Sequence, residues 1–207
     1  MSALVLEIAT APLEAVPAEL AVIPCFAEDR PLPGSAGRAD WRLCGALSRG
    51  VRAGWLRGAA GEAALVPSGG GIAAPRVMAL GLGSRVAFDA AALERFAAEA
   101  VQRAVRLRAR SLALGWPDRI RLAPEPQVEA LLAGLAAAGG AAAGLARLWI
   151  CASAADSAAF AQSLRGRGDA LPDGVALAAS LAAGDPRTPV PPPGPGAAPA
   201  IARMRIK

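Results

Sequence analysis

The feature that most constrains this chain is an alternation along its length. Short, largely apolar runs are set between longer stretches with helical spacing. Leu4–Ile8, Ala63–Val66, Arg76–Leu80, Ser111–Gly115 and Arg147–Cys151 are each of strand length and mostly apolar, with charge only at Glu7, Arg76 and Arg147. A strand with one wet face would alternate apolar and polar residues, whereas these read as strands buried on both faces. Glu19–Ile23 is a further strand, which Pro24 is predicted to stop because proline cannot donate to a ladder.

The intervening segments carry the other periodicity. After a turn-rich loop, Glu28 to Ser35, one helix is predicted from about Arg38 to Val51, with Trp41, Cys44, Leu47, Ser48 and Val51 at helical spacing. Asp89 is placed to cap a helix whose apolar stripe is Leu93, Phe96, Ala97, Ala100, Val101, Ala104 and Val105. On its wet face Arg95, Glu99 and Arg103 are spaced for i,i+4 pairs. Val128, Leu131, Leu132 and Leu135 mark a third helix, and Phe160 and Leu164 a fourth. Strand and helix in turn predict an α/β fold, with helices packed on a largely buried sheet.

Residues 1–168 are expected to form one domain, 169–200 an Ala/Pro/Gly-rich linker centred on Pro191 to Pro195, and 201–207 a basic, strand-like tail. Ala130 to Ala146 is uncharged but mostly Ala and Gly, which gain little from lipid, and four glycines interrupt it. The first eleven residues lack a basic n-region. The chain therefore reads as soluble and cytoplasmic, without a membrane partner.

What the sequence lacks limits its chemistry. It contains no His, Asn or Tyr, and its one lysine is Lys207. Imidazole bases and His-ligated metals are excluded. Cys25, Cys44 and Cys151 are too far apart for a Cys-x-x-Cys unit; each lies in an apolar stretch and reads as a buried free thiol. The net charge is +5, but the basic residues are dispersed, with the densest group at Arg103, Arg106, Arg108 and Arg110. That group reads as a solvated helix face, so nucleic acid is not the expected partner; weak nucleic-acid binding through these arginines is kept as an alternative.

Three segments in order carry a family resemblance. Leu20 to Pro24, an acidic loop and Asp40-Trp41-Arg42-Leu43-Cys44-Gly45-Ala46-Leu47 are similar to a strand and helix of the leucine aminopeptidase (cytosol aminopeptidase) N-terminal domain. Gly58 to Pro67 resembles its glycine turn and strand, and Arg76 to Gly83 its strand ending in Gly-Leu-Gly. The resemblance covers roughly residues 3–165 and implies a macro-domain-like three-layer fold, a mixed β-sheet flanked by helices. In that family two metals are held in a C-terminal domain by lysine, aspartates and glutamate, with an Asn-Thr-Asp-Ala-Glu-Gly-Arg signature. That signature is absent here, so no catalytic, cofactor-binding or metal-ligating residue is assigned, and no cofactor is expected. The resemblance implies a non-catalytic assembly or regulatory module. Its implied partner is a separately encoded aminopeptidase catalytic subunit or a second copy of itself.

Other candidates are weaker. Gly81-Leu82-Gly83-Ser84-Arg85-Val86 begins like a dinucleotide fingerprint but has Val86 at the third glycine, and reads as a tight turn. Gly69-Gly70-Gly71 could approach a phosphate, as in macro domains that bind ADP-ribose, but reads as a turn between strands. Asp29, Asp40, Glu62, Asp118 and Asp169 show no paired spacing for acid/base work; Asp40 reads as a cap at a helix start and Asp118 as a turn residue.

Overall fold

The computed structural model describes residues 3–9 and 11–178. Seven strands make one sheet: β1 (Leu4–Ile8), β2 (Leu20–Phe26), β3 (Ala63–Pro67), β4 (Arg76–Gly83), β5 (Ser111–Gly115), β6 (Arg147–Cys151) and β7 (Val175–Leu177). Their spatial order is β3-β4-β2-β5-β6-β1-β7. All neighbours pair in parallel except β3, which runs antiparallel to β4 at one edge. The sheet is therefore mixed, and helices cover both of its faces.

The period-two alternation of each strand divides the core in two. On one face Leu20 and Val22 of β2, Met78 and Leu80 of β4, and Leu112 and Leu114 of β5 point at α3 (Ala90–Arg106), α4 (Pro124–Ala138) and α5 (Ala154–Arg165). The other face presents Ala21, Ile23, Cys25, Val77, Ala79 and Ala113 to α1 (Gly34–Arg42) and α2 (Ala46–Arg52). Ala21 sits opposite Ala113 across the β2–β5 ladder. Small side chains there let two short helices lie close to the sheet. The longer helices cover the face with the larger ones.

Three expectations are corrected. First, β2 does not stop at Pro24 but continues to Phe26 along β4, with Pro24 opposite Leu80. The β2–β5 ladder ends at Val22, so the missing donor interrupts no bond on that side. A Cβ on Gly115 of β5 would lie 2.9 Å from the Pro24 Cδ, so glycine there makes room for the ring.

Second, the helix predicted over residues 38–51 is two helices. Cys44 (φ 52°) and Gly45 (φ 75°) are left-handed and break it. Asp40 accordingly caps the second helix from within the first. Its Oδ1 accepts from Leu47 N (2.8 Å) and Ser48 N (3.1 Å), and its Oδ2 accepts from the Ser48 hydroxyl. Replacing Asp40 by Ala orphans two backbone donors and is expected to cost about 2 kcal/mol. Urea denaturation followed by circular dichroism measures this; an unchanged midpoint would remove the cap from the account.

Third, the segment assigned to a linker from residue 169 contributes β7, which pairs with β1 through Leu4–Val175 and Leu6–Leu177. The Pro-rich centre of that segment and the tail at 201–207 lie outside the described residues. Among the described residues no helix is long and apolar enough to cross a membrane. Asp89 caps α3 as expected, its Oδ1 accepting from Ala92 N at 2.8 Å. Arg103 pairs with Glu99 at 3.2 Å, one turn away.

Candidate functional site

In an open sheet of this kind, ligands bind beyond the carboxyl ends of strands whose following helices lie on opposite faces. Here β2 leads to α1 on one face and β5 leads to α4 on the other, so the crevice falls between β2 and β5. It is lined by Pro24, Phe26, Asp29, Pro33, Ser35, Ala36, Arg85, Pro117 and Asp118, and encloses only ≈ 10 Å³.

The chain's own side chains close it. Arg85, which follows β4, reaches across with one terminal nitrogen on Asp29 Oδ1 at 2.7 Å and the other on the Asp118 carbonyl at 3.0 Å. Its guanidinium lies 3.9 Å from the centre of the Phe26 ring. Asp29 is only 8% exposed, and its second oxygen accepts from Phe26 N at 3.0 Å. Beside it, Glu28 accepts from the Ser84 hydroxyl (2.6 Å) and Arg85 N (3.0 Å). Those two bonds, the Ser84 one foremost, hold the Glu28 carboxyl below the usual range. The loops after β2 and β4 are thereby fastened together.

A helix N-terminus attracts anions, and α1 opens onto this crevice. Its anion is internal: Asp118 Oδ2 accepts from Ser35 N at 3.1 Å and from the Ser35 hydroxyl at 3.4 Å. Gly34 is left-handed (φ +51°), and a Cβ on it would come within 2.0 Å of the same oxygen. Asp118 is therefore more than a turn residue, because its carboxylate is the anion at the N-terminus of α1.

The remaining sequence candidates are dispersed. Glu62 accepts from Arg57 N and Gly58 N in the turn before β3. Asp169 is exposed in a single 3₁₀ turn. Gly69 and Gly70 are left-handed in the β3–β4 connection, as expected of a turn. Among the described residues no three His, Cys, Asp or Glu side chains are placed to hold a metal ion. In the basic group, Arg103 is tied to Glu99 and to the Gly61 carbonyl, while Arg106, Arg108 and Arg110 are exposed.

The thiols do not all behave as their sequence context suggests. Cys25 and Cys151 are buried, but Cys44 is exposed at the helix break. Burial raises the Cys25 thiol to about 12 and raises Cys151 as well. A thiol-specific reagent is therefore expected to modify Cys44 rapidly in the native protein, and the other two only on unfolding. Above the ordinary thiol range the unfolded chain releases these protons while the native state keeps them. Stability is thus fully present below pH ~9 and falls towards pH ~12, by up to about 1.4 kcal/mol per pH unit for each buried thiol. A flat alkaline stability profile would contradict this.

A second concavity was not legible in the sequence. It is a groove of ≈ 960 Å³ over α1, α2 and the loop before them, lined by Arg30, Arg42, Arg49 and Arg52 together with Trp41 and Cys44. Trp41 is 75% exposed, contrary to its place in the predicted apolar stripe, because the break at Cys44 turns α1 relative to α2.

The sequence profile of the N-terminal domain of the cytosol aminopeptidase family matches residues 22–139, more than half of the chain. The chain belongs to that family. Among solved structures, a mutant of tomato leucine aminopeptidase superposes with a TM-score of 0.60 at 15% identity, covering 79% of this chain and 35% of the enzyme. The chain thus spans about a third of that relative's length. A mutant macrodomain from Oceanobacillus iheyensis gives 0.57 at 10% identity, covering 81% of this chain and 93% of its own. The Trypanosoma brucei macrodomain in complex with ADP gives 0.59 at 15% identity, covering 77% and 68%. At these identities the superpositions establish the macrodomain-like fold alone. No curated protein sequence matches the chain.

Proposed function

We propose that this cytosol aminopeptidase N-terminal domain is a non-catalytic assembly or regulatory module, serving a metallo-aminopeptidase in the cytoplasm. The observation that carries the reading is the family match over residues 22–139, in a sequence with no His, no Asn and a single lysine. Hydrolysis by a metal-activated water requires ligands at fixed positions around an open coordination site. The family's lysine-and-carboxylate set has no counterpart in these residues, and the proposal places the chemistry on a catalytic part that this domain packs against. Self-association is the other mode of assembly.

Light scattering coupled to size-exclusion chromatography tests the self-association arm. Capture from the source lysate, with eluates assayed for leucine-anilide hydrolysis, tests the other. A monomer that retains no aminopeptidase activity would overturn the proposal.

The alternative of an ADP-ribose or nucleotide binder draws on the macrodomain fold, which is a fold-level analogy. The closed crevice weighs against it, since Asp118 already fills the N-terminus of α1 and Arg85 spans the opening. No thermal shift is expected with ADP-ribose. A ligand present at a hundred times its dissociation constant would stabilise by about 2.7 kcal/mol, and a shift of that size would replace the present reading.

A further inference from the structure

Arg30, Arg42, Arg49 and Arg52 line the groove over α1 and α2, and none of them has a carboxylate within ion-pair distance among the described residues. The two acidic residues in the lining are withdrawn from it. Asp29 is buried against Arg85, and Asp40 is 7% exposed and spends both oxygens on the cap of α2. The accessible charge of the groove is therefore entirely positive. Arg30 and Arg49 are held in place by backbone carbonyls, Arg30 by those of Asp29 and Arg57 and Arg49 by that of Cys44. Arg42 lies 5.3 Å from the centre of the Trp41 ring, which is 75% exposed.

An indole this exposed costs solubility and contributes nothing to the core. Set among unpaired guanidiniums, it forms a flat stacking surface within a field that attracts phosphates. We propose that this groove binds single-stranded nucleic acid, with the arginines on successive phosphates and a base stacked on Trp41. An acidic polypeptide is the competing occupant. The groove suits it less well, because its walls are two helices and a proline-containing loop, which offer no free strand edge for main-chain pairing. Leu32, one of its few other apolar side chains, is buried and leaves no deep socket for an anchor.

Fluorescence anisotropy of the full chain with a labelled oligothymidine of about 15 nucleotides tests this. Saturable binding is expected at about 50 mM salt, weakening with a log–log slope of about −2 to −3, as three or four phosphate contacts require. Trp41→Ala should weaken binding about tenfold without changing that slope, and Trp41→Phe should restore most of the loss. Arg42→Ala/Arg52→Ala should make the slope shallower by about 1.4. Arg108→Ala/Arg110→Ala removes the same charge outside the groove and should leave binding near wild type. No saturable binding, or equal losses in the two arginine pairs, overturns the proposal. Decaglutamate binding as tightly as the oligonucleotide also overturns it and assigns the groove to an acidic polypeptide. Should Trp41→Ala fail to fold by circular dichroism, the arginine pairs decide.

Discussion

Replacing Arg85 by alanine is expected to lower the stability of the domain by about 3 kcal/mol and open the crevice between β2 and β5. Its partner Asp29 is 8% exposed, so removing the guanidinium leaves a charge with little access to water. Breaking a fully buried pair costs about 3–5 kcal/mol, and the 31% exposure of the Arg85 side chain places this pair at the lower end. The packing over Phe26 and the bond to the Asp118 carbonyl are lost as well. For a domain of this size the melting temperature should fall by roughly 6–12 °C. Arg85→Lys should recover about half, since an ammonium reaches Asp29 but lacks the planar fork that also meets the carbonyl. Asp29→Asn in the Arg85→Ala background should cost much less than the separate losses summed, because the two residues share one interaction. Denaturation of Arg85→Ala within about 0.5 kcal/mol of wild type would show that the bridge is ornamental.

The alternation that fixed the fold class was readable because a sheet buried on both faces needs uninterrupted apolar strands. Where the reading failed, the deciding partner lay far away in the chain. Pro24 looks like a strand terminator until Gly115, on a different strand, makes room for its ring. The helix over residues 38–51 reads as continuous because Cys44 carries no sign that its backbone will turn left-handed; Gly45 was the available hint. β7 is three residues long, too short for a periodic signal, and takes its register from the edge of β1. The crevice was illegible for the same reason. Asp29, Ser35, Arg85 and Asp118 are separated by whole elements and meet only at the ends of β2, β4 and β5. The groove's arginines never form a run, so the sequence pointed instead to Arg103–Arg110, where one member is already paired. The family resemblance was legible because it rests on three local segments in order, one of them the strand β4 with the glycines that end it.

Those glycines give the other large effect, and they separate two physical reasons for the same residue. Gly81→Ala is expected to cost about 3 kcal/mol, the upper end for overpacking, because its Cβ would fall 2.0 Å from the Ala59 carbonyl oxygen and 2.8 Å from the Gly58 carbonyl carbon. Backbone cannot swing away as a side chain can, and this backbone is fastened to β4. Gly81 N donates to the Glu62 carbonyl at 2.7 Å, Gly61 N to the Gly81 carbonyl at 3.1 Å, and Gly83 N to the Gly58 carbonyl at 2.8 Å. Relief would require breaking that ladder and with it the turn that starts β3. Gly83 differs: its φ is +79°, and the nearest atom to an added Cβ is the Ala60 methyl at 3.2 Å. Gly83→Ala should therefore cost about 1–2 kcal/mol, mainly from the left-handed backbone. Gly83→Asn should recover part of that, since asparagine tolerates the conformation, whereas no side chain rescues Gly81. Urea midpoints for these three variants decide the matter. If Gly81→Ala proves milder than Gly83→Ala, close approach is not the reason for the first glycine.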